Sequence, residues 1–125
     1  MKLSRNNTET FKTQFSLEKR KQEASKILEK YPDRIPCIVQ KSNNDKSNIT
    51  IMDKKKFLLP SGLTFSQLIH VVRCRVKIAS HQAIFVLVNG QMITGTRLMS
   101  EVYNEHKDID GFLYTIYSTE STFGN

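Results

Sequence analysis

The sequence has too little of several residue types to support some common classes of protein. Its two cysteines, Cys37 and Cys74, are too few for a disulfide framework. No stretch has the apolar length of a signal peptide or a membrane span, which leads us to expect a cytosolic or nuclear protein. Hydrophobic residues make up 38% of the 125 positions, enough for the core of one domain but not of two.

The sequence also lacks the patterns that catalysis and metal binding require. It has no glycine-rich phosphate loop, no nucleophile elbow and no carboxylate pair in a shared context. The histidines His70, His81 and His106 show no ligand spacing, so we predict surface residues and neither a zinc site nor a Cys–His pair. Cys37 is expected to be buried and Cys74 exposed. We therefore expect no catalytic residue, no metal, no cofactor, and a protein that is not an enzyme.

Positive charge is concentrated in the first part of the chain. Residues 1–77 carry 17 Lys and Arg against 7 Asp and Glu, whereas residues 78–125 carry 2 against 5. This asymmetry predicts an acidic partner for the front part. Nucleic acid is the weaker alternative, because Phe57, Phe65 and Phe85 lie in apolar runs and not between the charges, as a base-stacking surface requires.

The first half predicts a polar start, a helix and two strands. Residues 1–10 are polar and expected to be flexible. Ser16 resembles an N-cap, and Pro32 ends the helix that follows. The apolar face of this helix consists of Leu17, Ala24, Ile27, Leu28 and Tyr31. Its other faces are expected to direct positive charge outward, through Lys19, Arg20, Lys21, Lys26 and Lys30. The runs 35–40 and 53–60 predict a hairpin, with the polar residues 41–48 as its turn.

The second half predicts two further helices and two further strands. Thr64 and Gln67 have the form of a capping box, at the start of a helix over about residues 64–77. Leu68, Val71 and Arg75 fall at one margin of its apolar stripe and are candidates for a partly exposed groove wall. The other elements are a buried strand at 83–88, a turn at 89–90, a short helix at 97–106, a turn at 108–111 and a strand at 111–118.

This order of elements is the β-grasp arrangement of ubiquitin with an additional N-terminal helical segment, an α+β fold. The ubiquitin-like domain is expected at 11–118, between the flexible segments 1–10 and 119–125. The last strand leads into a polar arm that ends in Gly124 and Asn125. Such an arm suits a chain whose carboxylate end enters a narrow site of another enzyme, although an ordinary frayed terminus is the alternative.

Three stretches in order resemble the autophagy ubiquitin-like modifier family. This is the family of yeast autophagy-related protein eight, the mammalian microtubule-associated light chains and the GABA-receptor-associated proteins. The stretches are EKRK at 18–21 with YPDRIP at 31–36, DKKKFLLP at 53–60, and EHKDIDGFLY at 105–114 followed by TFG at 122–124. They leave open whether the chain belongs with the light-chain-like or the GABA-receptor-like members, since residues 31–36 favour one of these two subgroups and residues 89–90 the other.

The resemblance implies a modifier that is conjugated through Gly124 to phosphatidylethanolamine. A processing cysteine protease would grip Phe123 and Gly124 and remove Asn125, and activating and conjugating enzymes would then transfer Gly124. The implied role is autophagosome formation, in the cytoplasm and, after lipidation, on autophagosomes and related vesicle membranes. The alternative is an unconjugated ubiquitin-like peptide-binding module, which differs from the first interpretation only at Gly124.

The resemblance also implies two pockets for cargo receptors that bear an acidic aromatic-x-x-aliphatic motif. The pocket for the aromatic residue would consist of Glu23, Ile27, Pro36, Ile38, Lys56, Leu58 and Phe112. The pocket for the aliphatic residue would consist of Phe57, Leu59, Pro60, Leu68, Val71, Val72 and Arg75. The peptide would add as a strand beside residues 54–58. Taken alone, the lysines at 54–56 favour a solvated edge that discourages aggregation, and only the flanking motifs favour a peptide-docking edge.

Overall fold

A computed structural model describes residues 10–43, 45, 52 and 55–119 of the chain. The predicted flexible residues 1–9 and most of the predicted tail, residues 120–125, lie outside the described residues. The same is true of Asp53 and Lys54, at the predicted start of the second strand, and of half of the predicted turn at 41–48.

Two helices begin the described chain, α1 at Phe11–Gln14 and α2 at Leu17–Lys30. Each has a hydroxyl N-cap, since the side chain of Thr10 accepts from Thr13 N and that of Ser16 from Lys19 N. The helix predicted after Ser16 is therefore present. The four-residue α1 was not predicted, because one helical turn contains too few residues to show an apolar period.

Except for the short strand at Gln91–Met92, which was not predicted, the remaining elements follow in the predicted order. They are β1 at Arg34–Lys41, β2 at Lys56–Pro60, α3 at Phe65–Val76, β3 at Phe85–Val88, β4 at Gln91–Met92, α4 at Met99–His106 and β5 at Leu113–Ser118. Thr64 and Gln67 form the predicted capping box of α3. The two-residue strand β4 is exposed at both positions, so it has no apolar alternation from which it could have been predicted.

The five strands form one sheet in the order β2-β1-β5-β3-β4. β1 and β5 are parallel and central, and the other pairs are antiparallel. The first hairpin and the last strand thus lie side by side, with helix α3 between them in the chain. The predicted α+β fold, a ubiquitin-like β-grasp with an additional N-terminal helical segment, is confirmed.

Successive side chains on β1 point to opposite faces of the sheet and enter two different apolar clusters. Cys37 and Val39 join the main core, which packs the sheet against α3 and α4. Ile38 joins a smaller cluster on the other face with Phe11 and Phe112, against which the N-terminal helices pack. Strand β1 is therefore covered on both faces, whereas β2 is buried on one face only, at Phe57 and Leu59.

The predicted apolar face of α2 is only partly buried. Ala24 is buried and Ile27 half-buried, whereas Leu17, Leu28 and Tyr31 are exposed. Arg20, which we predicted to point outward, is buried, so that prediction was wrong. The reason is a long-range one: the turn before β5 brings a buried carboxylate, described below, against this side of α2.

Candidate functional site

Strand β2 forms one edge of the described sheet, with β1 on its inner side. Val39 N donates to Lys55 O at 2.8 Å, and Pro36, which has no N–H, is opposite Leu58. Hydrogen-bonded and non-hydrogen-bonded pairs alternate along an antiparallel ladder. The backbone N–H and C=O groups of Lys56 and Leu58 therefore point toward the open side, where a further strand could bind.

One set of residues lies beside this edge, on the face of the sheet that the N-terminal helices cover. Pro36 and Ile38 on β1 are opposite Leu58 and Lys56 on β2, and Lys56 forms an ion pair with Glu23 of α2. The set is the predicted aromatic pocket, and the structure brings all its members together: Glu23, Ile27, Pro36, Ile38, Lys56, Leu58 and Phe112.

Some members of this set are fully buried and form its floor, and others are partly exposed and form its rim. Ile38 and Phe112 are fully buried in the same apolar cluster, against which Ile27 packs. Leu58 is 36% exposed, and Glu23 and Lys56 are half-buried. The arrangement offers an apolar base beside an ion pair whose two charges remain partly in water.

The second set lies on the opposite face, between β2 and α3. Phe57 and Leu59 belong to the main core, and the Cζ of Arg75 is 5.4 Å from the centroid of the Phe57 ring. Val71 is half-buried, and Pro60 and Arg75 are exposed. The structure thus brings together six members of the predicted aliphatic pocket, Phe57, Leu59, Leu68, Val71, Val72 and Arg75. The seventh member, Pro60, is two residues after Leu58 on β2 and so lies on the other face of the strand.

Leu68 does not form the partly exposed groove wall that we predicted. It is fully buried together with Val72. The buried residues of α3 are Phe65, Leu68, Val72 and Val76, so Leu68 lies at the centre of the stripe and not at its margin. Only Val71 and Arg75 remain accessible from the predicted trio.

A buried polar network supports the floor of the first set, and sequence reasoning missed it. Asp110 Oδ1 accepts from Phe112 N at 2.8 Å, and Asp110 Oδ2 accepts from Arg20 Nη1 at 2.7 Å and from the Tyr114 hydroxyl at 2.5 Å. Arg20 Nε also donates to Phe15 O at 3.0 Å. Burial and the hydrogen bond to Asp110 raise the pKa of Tyr114. The network holds α2 and Phe112 in one place.

The cysteines and histidines are placed largely, but not wholly, as expected. Cys37 is buried, and burial raises the pKa of its thiol to about 12. Cys74 is exposed, but its Sγ lies 3.6 Å from His70 Nε2, so the prediction of no Cys–His contact was wrong. Residues four apart on a helix are neighbours, a spacing that we overlooked. His81 is exposed and His106 half-buried.

Two further features bear on the class of site. In the described part of the chain, no group of three or more His, Cys, Asp or Glu side chains could hold a metal ion. Of the helices that the structure describes, none combines the length and apolar character needed to cross a bilayer.

The processing residues Phe123, Gly124 and Asn125 lie outside the described residues, and Thr119 is the last residue described.

Comparison with known proteins gives close relatives over nearly the whole chain. Residues 19–124 match the family model described as "Autophagy protein Atg8 ubiquitin like". The chain is 52% identical over 114 residues to Autophagy-related protein 8 of Mycosarcoma maydis, covering 91% of this chain and 95% of that protein. It is 49% identical over 115 residues to Autophagy-related protein 8d of Arabidopsis thaliana, covering 92% and 94%.

A solved structure agrees with these relatives. The crystal structure of Trypanosoma brucei ATG8 superimposes with a TM-score of 0.83 at 40% sequence identity, and covers 93% of this chain and 98% of that one. The fold, the family model and the relatives all agree with the motifs at 18–36, 53–60 and 105–124. This chain belongs to the Atg8 family of ubiquitin-like autophagy proteins.

Proposed function

We propose that this protein is a ubiquitin-like modifier that is joined through Gly124 to phosphatidylethanolamine, acts in autophagosome formation and recruits cargo receptors with acidic aromatic-x-x-aliphatic motifs. The observation that carries the recruiting role is the open edge of β2 between the two residue sets. Family membership supports the conjugating role.

The spacing of the motif fits the position of the two sets. In an extended peptide, side chains three residues apart point to opposite faces of a sheet, because the side-chain period of a strand is two. The set around Leu58 lies on one face of β2 and the set around Phe57 on the other. A peptide that added to β2 would thus direct its aromatic side chain toward one set and its aliphatic side chain toward the other.

The acidic flank of such a motif would meet positive charge at this edge. Lys56 and Arg75 border the two sets, and Arg34 Nη1 donates to the outward-facing Leu58 O at 3.4 Å. These side chains are partly or fully exposed, so they would mainly raise the association rate, and their effect would decrease with salt. A peptide strand would compete with Arg34 for the Leu58 carbonyl and leave its guanidinium beside the acids.

Gly124 suits the conjugation chemistry because glycine has no Cβ. After the activating enzyme has converted the Gly124 carboxylate into an acyl group that carries a leaving group, an active-site cysteine can displace that group to form a thioester. The headgroup amine can then displace the cysteine thiolate to form an amide, and the missing Cβ keeps the steric penalty of both steps small. Two acyl chains would hold the product on a membrane far more firmly than a basic surface alone. In this reaction the chain is a substrate of its processing protease and conjugating enzymes, and it supplies no catalytic residue.

The test is the intact mass of the protein recovered from soluble and membrane fractions of cells that express it, beside Gly124→Ala. The matched control is Gly62→Ala, because an added Cβ at Gly62 would meet nothing within 4 Å. We expect the membrane form to have lost Asn125 and gained the mass of phosphatidylethanolamine. Gly62→Ala should behave in the same way, and Gly124→Ala should remain soluble and unmodified.

Retention of Asn125 in every fraction, with no difference between the two variants, would contradict conjugation. The alternative is then an unconjugated ubiquitin-like peptide-binding module, which uses the same edge of β2. Peptide binding without conjugation is the result that distinguishes this alternative.

A further inference from the structure

Asp45 lies in the connection between β1 and β2, but its carboxylate contacts the end of β5. Asp45 Oδ2 accepts from the backbone N of Thr119 at 2.7 Å and from Ser118 Oγ at 3.1 Å. Thr119 Oγ1 lies 3.1 Å from the same oxygen and 3.3 Å from Oδ1. Asp45 is 7% exposed, so these bonds form in a largely dry environment, where hydrogen bonds to a charged acceptor are strong.

Two more bonds join the same connection to the end of β5. Ser42 N donates to Tyr117 O at 2.8 Å, and Met52 N donates to the Tyr117 hydroxyl at 3.1 Å. Tyr117 itself is fully buried. The connection between β1 and β2 therefore forms hydrogen bonds with three successive residues at the end of β5 and just after it, 117, 118 and 119. Of these bonds, those of Asp45 are the nearest in sequence to Gly124.

Thr119 is the first residue after β5 and the last residue that the structure describes before Gly124. Five peptide units separate Thr119 from Gly124 in the sequence. A fully extended chain advances at most about 3.6 Å per residue, so Gly124 can reach no further than about 18 Å from Thr119. The volume that Gly124 can explore consequently depends on whether Thr119 is held.

We infer that Asp45 is a positioning residue for Gly124, an inference that rests on the proposed conjugation at this glycine. By holding Ser118 and Thr119, Asp45 sets the origin of the tail, so that the glycine carboxyl group is presented from a constant point on the surface. Without these bonds Thr119 would lose the hydrogen bonds that hold it, whereas Ser118 would stay paired with Phe85 of β3. The flexible linker to Gly124 would then be longer. For an enzyme that also binds the folded domain, the effective concentration of Gly124 at the active site would therefore be lower.

A merely structural role for Asp45 predicts a different result. Loss of a structural contact would lower the stability and would affect peptide binding at β2 and processing at Gly124 alike. Loss of a positioning contact would leave the folded domain and its peptide-binding edge intact and would affect only the reactions of the tail. The two roles can therefore be separated in protein that is folded at the assay temperature.

The experiment compares the full chain with Asp45→Ala and Asp45→Asn, and with Glu29→Ala as a control at an exposed acid of α2. Three quantities are measured: kcat/KM for cleavage after Gly124 by the processing cysteine protease, affinity for an acidic aromatic-x-x-aliphatic peptide, and hydrogen exchange of the Thr119 amide. For Asp45→Ala we expect kcat/KM to fall about tenfold, as for the loss of one hydrogen bond to a charged group.

The other two measurements identify the cause. In Asp45→Ala the Thr119 amide should exchange faster while residues 113–116 stay protected, and peptide affinity should not change. Asp45→Asn should give an intermediate kcat/KM, because its amide oxygen can still accept from Thr119 N, and it is the variant to use if Asp45→Ala does not fold. Glu29→Ala should match the unmodified chain in all three.

Three results would overturn the inference. If Asp45→Ala is cleaved at the same rate as the original sequence although its Thr119 amide exchanges fast, then holding Thr119 does not affect cleavage after Gly124. A parallel loss of peptide binding and cleavage would show a structural role. If the unmodified chain binds the peptide but is not cleaved after Gly124, the proposed conjugation fails and the positioning role fails with it.

Discussion

Arg20 Nη1 lies 2.7 Å from Asp110 Oδ2, in an ion pair that joins residues 90 positions apart in the chain. The side chain of Asp110 is fully buried and that of Arg20 is 11% exposed. The pair attaches α2 to the turn before β5, directly behind Phe112, whose N–H binds the same carboxylate. The N-terminal helices are thus connected to the sheet at the position of the proposed aromatic pocket.

Replacement of Arg20 should destabilise the protein strongly. Arg20→Met leaves the Asp110 carboxylate buried without its charged partner, which we expect to lower the free energy of unfolding by about 3 kcal/mol. Urea denaturation at pH 7 measures the change. Lys21→Met, an exposed neighbour on α2, should change it by less than about 0.5 kcal/mol, and an equal effect of the two variants would contradict the role of the ion pair.

Gly111 should not tolerate a side chain. Its φ is +94°, and an added Cβ would lie 2.9 Å from the Cβ of Ala24 on α2. Gly111→Ala combines a left-handed backbone with a steric clash and should cost about 2 to 3 kcal/mol of stability. Gly62→Ala is the matched control, because no atom lies within 4 Å of its added Cβ. Thermal unfolding of the two variants should separate them clearly, and equal midpoints would contradict the predicted clash.

The Lys12–Asp108 pair should make a small, pH-dependent contribution to stability. Burial raises the pKa of Asp108, but the hydrogen bonds from Lys12 and from Asp110 N outweigh this effect and leave the pKa below its ordinary value of 3.8. A carboxyl group whose pKa is lower in the folded state stabilises the fold above its unfolded pKa, and this stabilisation is lost as pH falls through the folded pKa.

The variant Lys12→Met tests this pH dependence. At pH 7 it should be less stable than the unmodified chain by about 0.5 kcal/mol, a small value because the Lys12 side chain is 48% exposed. The difference should shrink below pH 3.8, and the part that remains reports the contact of Lys12 with the Tyr114 ring, 4.6 Å from its centroid. A difference that is the same at pH 7 and at the lowest pH would refute the assignment.

Peptide binding should depend on the backbone N–H of Leu58. Leu58→Pro removes this donor, which points to the open side of β2, and leaves the bonds between β1 and β2 in place. Leu58→Val also shortens the side chain but keeps the N–H. We expect the proline variant to bind an acidic aromatic-x-x-aliphatic peptide roughly fivefold more weakly than the valine variant, the effect of about one hydrogen bond. Equal affinities in a calorimetric titration would argue against strand addition at β2.

The two cysteines should react at very different rates. Cys74 is exposed, whereas Cys37 is fully buried and its pKa is raised to about 12. At pH 7 a thiol reagent should therefore label one cysteine quickly in the native protein and two after denaturation. The native Cys74→Ser variant should show no fast-reacting thiol. Two fast-reacting thiols in the native protein of original sequence would contradict the burial of Cys37.

Local signals in the sequence predicted most of the elements. The hydroxyl caps at Ser16 and Thr64 act on N–H groups three residues later, so they mark the starts of α2 and α3 within a few positions. The turn at Gly111 and the alternation of β5 are equally local. The elements that were missed, α1 and β4, have four and two residues, too few to show any period.

The sequence by itself determined the order of the longer elements, the fold class and the family, because caps, turns and alternation act between near neighbours and because the motifs are contiguous. Only the tertiary structure decided which charges are buried. Asp110 meets Arg20, and Asp45 meets Thr119, because parallel pairing of β1 with β5 brings together residues that are 90 and 74 positions apart. The tertiary structure also placed Leu68 at the centre of its helix stripe, where the packing of α3 on the sheet defines the buried side.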